Sequence, residues 1–148
     1  VAVAEPVFVQ EFPVKGGDFA HAGAAACRIK ALLKDMGFDQ KTMRRAAIAS
    51  YEAEMNIIMF AEEGRLSLAV SPSVVRITAD DRGPGIQDIE LAMTEGYSTA
   101  TREMRELGFG AGMGLPNIKK NSDVFRIGSQ PGRGTRLEII IRVNGRGE

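Results

Sequence analysis

Helices and strands come in blocks along this chain, and that order predicts an α+β fold. The expected form is a two-layer α/β sandwich, with helices on one face of a mixed, mostly antiparallel sheet. Three observations carry the prediction. Two long segments with helical apolar spacing follow each other early in the chain. Two β-type runs then meet at a Ser71-Pro72-Ser73 turn, and another two close the chain around "PGRG". A parallel βαβ array would instead alternate strand and helix throughout.

Taken in order, "EPVFVQEFPV" (Glu5 to Val14) reads as a strand ending at the Gly16-Gly17 turn. Asp18 suits the N-cap of a helix whose apolar positions Phe19, Ala22, Ala26, Ile29, Leu33 and Met36 form one buried face. Gly37 stands where a C-terminal cap belongs. A second helix starts at Asp39, shows an apolar stripe at Ile48, Tyr51, Met55, Ile58 and Met59, and should end near Gly64. "RLSLAVS" and "SVVRITADD" form a hairpin around the Ser-Pro-Ser turn. A short helix follows at about Asp88 to Met93, then a loop, then a helix from about Gly114 to Asn121. "DVFRIGSQ" and "TRLEIIIRV" supply the final hairpin.

Composition narrows the function. The length of 148 residues fits one domain, 1–148, with a proper core. Lysine plus arginine equals aspartate plus glutamate at 19 each, so bulk charge suggests no direct nucleic-acid partner. No run of 18 apolar residues and no secretory start is present, so no membrane role is expected. Cys27 has no second cysteine to pair with, which fits a reducing, cytoplasmic setting. Its alanine-rich surroundings read as core packing.

Three motifs carry the chemistry. In "ELGFGAGMGLPN", glycines stand at 108, 110, 112 and 114. The dinucleotide pattern G-x-G-x-x-G fails, because its last position falls on Met113 or Leu115, and no Gly-Lys-Ser/Thr triplet exists for a P-loop. A flexible linker and a phosphate-binding loop both fit the glycines alone. The continuation into a helix favours phosphate, since helix N-termini expose unpaired N–H groups and roughly half a positive charge. In "DDRGPGI", strand alternation places Asp81 on the apolar row of Val75, Ile77 and Ala79, and Asp80 on the opposite face. Asp81 is either a turn cap or an acceptor for the exocyclic amine of a base. In "SYEAEMNII", Glu52 and Asn56 are four apart and share a helix face. They are either a surface pair or a carboxylate and a neutral oxygen suited to activating a hydroxyl and holding Mg²⁺. Glu54 points away from that face, and neither it nor Met55 is informative.

In this order and spacing, the helical E-x-x-x-N, the D-x-G-x-G-I after a strand, the glycine loop leading into a helix and the "GRGT" before the last strand resemble the GHKL ATP-binding superfamily. That superfamily covers gyrase, heat-shock ATPase chaperones, histidine kinases and MutL repair proteins. The resemblance spans roughly Asp39 to Val143. It implies ATP and Mg²⁺ as cofactors, Glu52 as general base, Asn56 as the Mg²⁺ ligand and Asp81 as adenine anchor. Gly83, Gly85 and Ile86 would shape the base pocket, and Thr135 would support it. Gly108, Gly110, Ala111, Gly112, Met113, Gly114 and Leu115 would wrap the phosphates. Ser98 and Thr99 would stand at the start of an ATP lid at about 96–109, in which Arg102 or Arg105 is a candidate for the γ-phosphate, each equally a solvated charge. Lys119 and Lys120 read as surface residues.

Within the superfamily, His21 lacks the acidic and proline context of a phosphoacceptor histidine, and a transducer domain is not expected in this length. The chain looks like the stand-alone anti-sigma-factor serine/threonine kinases of bacterial partner switching. "EGYSTATREMRELGFGAGMGLPNIKK" is especially similar to the switch-kinase branch. The resemblance implies a small antagonist protein as substrate, with a sigma factor or other regulatory protein downstream, and a homodimer that no patch in the sequence fixes. A nucleotide-loaded docking switch with little or no transfer is the alternative, and a free-standing ATPase a third.

Overall fold

The computed structural model describes residues 6–97 and 114–143. Five strands form one sheet: β1 (Phe8–Lys15), β2 (Glu63–Ser71), β3 (Val74–Arg82), β4 (Val124–Gln130) and β5 (Gly134–Arg142). Their spatial order is β1-β2-β3-β5-β4, and every pairing is antiparallel. The expected sandwich is observed, with a sheet that is antiparallel rather than mixed.

Register places one residue set toward the helices. Phe12, Leu66, Ala79 and Leu137 line up across β1, β2, β3 and β5, with Leu68, Ile77 and Ile139 beside them. All seven are buried. The other face carries ion pairs: Arg76 and Arg126 on Glu138, and Arg136 on Asp80. Exposed pairs of this kind add little stability, so the inner apolar row holds the sheet to the helices.

Three helices and a short turn complete the described fold: α1 (Ala24–Asp35), α2 (Gln40–Phe60), α3 (Ile89–Ala92) and α4 (Gly114–Lys120) are the helices, α3 being that single turn. Helix α2 lies across β1, β2, β3 and β5 and is flanked by α1 and α4. Its start follows the sequence: Asp39 caps it, accepting the Thr42 N–H. Its buried face agrees with the expected stripe in part: Met55 and Ile58 are buried, whereas Tyr51 is 38% exposed and Ile48 and Met59 are half-buried. Ala46, Ala49, Ala53 and Ile57 are buried as well, the alanines letting the helix axis approach the sheet. The helix also stops at Phe60 rather than near Gly64, which already belongs to β2.

The helix expected from Asp18 onward is interrupted. Phe19–His21 form a single 3-10 turn, and α1 begins only after Gly23, whose φ of +92° cannot continue a right-handed helix. Asp18 caps nothing and pairs instead with the His21 ring. The N–H groups freed by the break meet a side chain from elsewhere. Glu54 is only 2% exposed, and its carboxylate accepts from the N–H groups of Gly23, Ala25 and Ala26 at 3.1, 3.2 and 2.9 Å. An acid from α2 therefore caps α1, where the helix dipole also favours negative charge. The expected apolar face of α1 is present in Ala26, Ile29 and Leu33, and Gly37 ends it at φ +81°. Cys27 is exposed rather than in the core, because it sits one residue off that face.

Glu54→Ala leaves three backbone donors without their acceptor. It should lower the unfolding free energy by about 2–4 kcal/mol, read from urea denaturation, and Glu54→Gln should recover part of the loss.

Candidate functional site

The residues expected to act fall into two polar clusters, one between α2 and α4 and one where β3 meets β5. On α2, Glu52 and Asn56 face away from Glu54 and toward α4. A Cβ placed on Gly114 would lie 3.4 Å from Asn56 Oδ1 and 3.6 Å from Glu52 Oε1. The first residue of the helix that follows the glycine loop thus stands directly against the polar pair. Asn117, one turn further on, donates from Nδ2 to Glu52 Oε2 at 3.0 Å. Leu115 is 8% exposed with its side chain in the core, and Pro116 and Ile118 are buried beside it. That packing holds α4 on α2.

Asp81 ends the inner row of β3, as alternation predicts. Its Oδ1 accepts the Thr135 N–H at 3.1 Å. The neighbouring Asp80 lies on the other face, ion-paired with Arg136 at 2.6 Å. Asp81 is half-buried and has no cation partner among the described residues. Burial, opposed by the Thr135 N–H and reinforced by the Asp80 charge, raises its carboxyl above the ordinary 3.8. The charged form is therefore the costly one, and a hydrogen-bond donor arriving at Asp81 would relieve it.

The glycines around Asp81 are explained by crowding. A Cβ on Gly83 would sit 2.9 Å from Ala61 Cα and 3.4 Å from Asp81 Oδ1. Gly85 has φ +74°, and a Cβ there would reach the Gln130 carbonyl carbon at 2.8 Å. Ile86 is half-buried against the core, and its N–H donates to Ser129 Oγ at 2.7 Å. That hydroxyl also lies 3.0 Å from Thr135 Oγ1. Ser129 and Asn117 are the two site residues the sequence reading missed. Ser129 could have been found from its inward parity with Phe125 and Ile127; nothing local marks Asn117. An open hollow of about 530 Å³ lies beside this cluster, lined by Asp80, Asp81, Ser129, Arg133, Thr135 and Arg136. It draws on both sheet faces, so it wraps the sheet end rather than lying between sheet and helices.

Ser98, Thr99, Arg102, Arg105, Gly108, Gly110, Ala111, Gly112 and Met113 lie outside the described residues, as does most of the expected lid. Lys119 and Lys120 are exposed, and Lys120 pairs with Glu95 at 2.9 Å, in keeping with surface roles. Among the described residues, no helix is long and apolar enough to cross a membrane.

A half-desolvated acid beside close-packed glycines, and an acid–amide pair against a helix that starts on glycine, are polar groups expected of a nucleotide-binding domain. Residues 45–145 match the family of histidine kinase-, DNA gyrase B- and HSP90-like ATPases, and the chain belongs to that family. Membership makes ATP the expected nucleotide. The chain is 32% identical over 111 residues to the serine/threonine-protein kinase RsbT of Bacillus subtilis (strain 168), covering 72% of this chain and 77% of that one. It is 36% identical over 79 residues to the anti-sigma F factor of Pasteuria penetrans, covering 53% and 49%. A third relative, the anti-sigma F factor of Thermoanaerobacter sp. (strain X514), is 33% identical over 93 residues, covering 60% and 62%. The alignments thus take in about half to three-fifths of the anti-sigma factors' length. Among solved structures, the SiaB-SiaC complex from Pseudomonas aeruginosa superposes with a TM-score of 0.62 over 93% of this chain and 90% of that one. At 12% identity, that likeness shows the fold alone.

Asp81→Asn tests the electrostatics without any ligand. A raised folded-state value means that the ionised acid costs stability once the pH exceeds its unfolded value. Wild type and variant should be equally stable in acid. The variant should gain as the pH rises through the folded-state value, as followed by thermal melts across pH.

Proposed function

We propose that this chain is a Mg²⁺- and ATP-dependent serine/threonine protein kinase of the anti-sigma-factor type. It would phosphorylate a small antagonist protein and so control a sigma factor or another regulatory protein by partner switching. The observation that carries the reading is the placement of Glu52 Oε1 and Asn56 Oδ1 together against Gly114, where the phosphate loop enters α4. The kinase and anti-sigma factors among its relatives support the same choice.

The residues present fit the nucleotide. Asp81 offers a half-buried acceptor to the exocyclic amine of adenine, Gly83 leaves Asp81 Oδ1 uncrowded, Gly85 lets the segment turn closely against Gln130, and Thr135 steadies Asp81 through its N–H. Asn56 supplies a neutral oxygen for Mg²⁺, a hard cation that takes oxygen ligands and keeps much of its water. Bound Mg²⁺-ATP supplies the γ-phosphoryl group. Glu52 would accept the proton of the attacking serine or threonine hydroxyl as the new O–P bond forms and the bond between the γ-phosphorus and the bridging oxygen breaks, with ADP leaving. A module that only docked a partner would need no base at this position.

Incubation with labelled ATP, Mg²⁺ and the product of the neighbouring gene tests the activity. Glu52→Ala should retain ATP binding and lose transfer by roughly 10²–10⁴-fold. Tight ATP binding by the wild type with no label on any partner would favour the docking switch. GTP carries a carbonyl where ATP carries the amine, so it should bind more weakly by about 1–3 kcal/mol, read by calorimetry. Asp81→Ala should erase that discrimination.

A further inference from the structure

The proposed chemistry leaves one polar side chain at its centre unused. Asn117 stands on α4 about one turn beyond Gly114, half-buried like Glu52, with which it shares a 3.0 Å hydrogen bond. Its backbone is held on both sides. Pro116 and Ile118 are buried beside it, and Asn121 Nδ2 donates to the Asn117 carbonyl at 2.9 Å. The bond divides the work of the Glu52 carboxylate: Oε2 is engaged by the amide, while Oε1 is the oxygen near Gly114. A glutamate side chain otherwise has substantial rotamer freedom, and a donor to its ionised carboxylate is among the stronger hydrogen bonds.

We propose that Asn117 is a positioning residue: by holding Glu52 Oε2 it presents Oε1 toward Gly114 and ties the base to α4. The inference rests on Glu52 acting as the base. It adds that the aim of this base depends on α4.

The bond is read first without nucleotide. In ¹H–¹⁵N spectra of the ligand-free protein, the Asn117 side-chain amide signals should move on Glu52→Ala, and their exchange with solvent should quicken. Signals that stay in place overturn the inference. Turnover of Mg²⁺-ATP then tests the consequence with Asn117→Leu, which matches the shape without a donor, and Asn117→Asp, which adds a like charge. Both should lower kcat by roughly 10- to 100-fold, the scale of a misplaced reacting group. KM for ATP should stay within about threefold, because an interaction used in the reaction step is lost rather than one used in binding. Unchanged kcat in both variants, or a rise in KM alone, overturns the positioning role. If Glu52→Ala itself keeps full turnover, the base reading falls, while the spectral result still reports on the bond.

Discussion

The buried carboxylate of Glu54 fixes how this molecule is put together. A charge that is 2% exposed is tolerated only because three N–H groups at the start of α1 surround it. That requirement sets the rotation of α2 about its axis. With Glu54 locked to α1 and Ala53 and Ile57 against the sheet, Glu52 lies roughly 200° around from Glu54. It can then face only α4. The break at Gly23 belongs to the same arrangement, since an unbroken helix would have used those N–H groups internally. Tyr51 packs over the break, its ring 3.4 Å from where a Gly23 Cβ would be.

At the end of the sheet, charge is divided between the two faces. Asp80 meets Arg136 in solvent, and Asp81, one residue on, turns inward to a single backbone donor. Adjacent aspartates on a strand thus become an ordinary surface ion pair and an unrelieved acid. The hydroxyls of Ser129 and Thr135 and the N–H of Ile86 knit β4, β5 and the Gly83–Ile86 segment into one rigid rim beside that acid. The inner row of the sheet therefore ends in a half-buried acid, and the α4-facing side of α2 carries an acid–amide pair.

Features governed by near neighbours were legible in the sequence. Gly37 as a C-cap, Asp39 as an N-cap and the inward turn of Asp81 follow from helix termini and a two-residue period, and all three are found. The pairing of Glu52 with Asn56 follows from helical spacing. What was missed acts at a distance along the chain. Glu54 reaches donors 28 to 31 residues away, and Asn117 reaches Glu52 across 65. Neither has a local signature. The α2 face was legible only in part: Met55 and Ile58 are buried as helical spacing expects, but close helix–sheet packing selects Ala46, Ala49 and Ala53 over Ile48 and Tyr51, which hydrophobicity ranks higher.

The central claim is that one nucleotide spans both polar clusters, its base at Asp81 and its metal-bound phosphates at Asn56. Replacing Mg²⁺ by Mn²⁺ in an ATP complex and recording ¹H–¹⁵N spectra addresses it directly, because the paramagnetic ion broadens nearby signals. The account predicts the strongest broadening at Asn56 and Gly114, together with a shift of the Thr135 amide as Asp81 takes up the base. Broadening centred on Asp80 and Arg133, with the Thr135 signal unmoved, would contradict it.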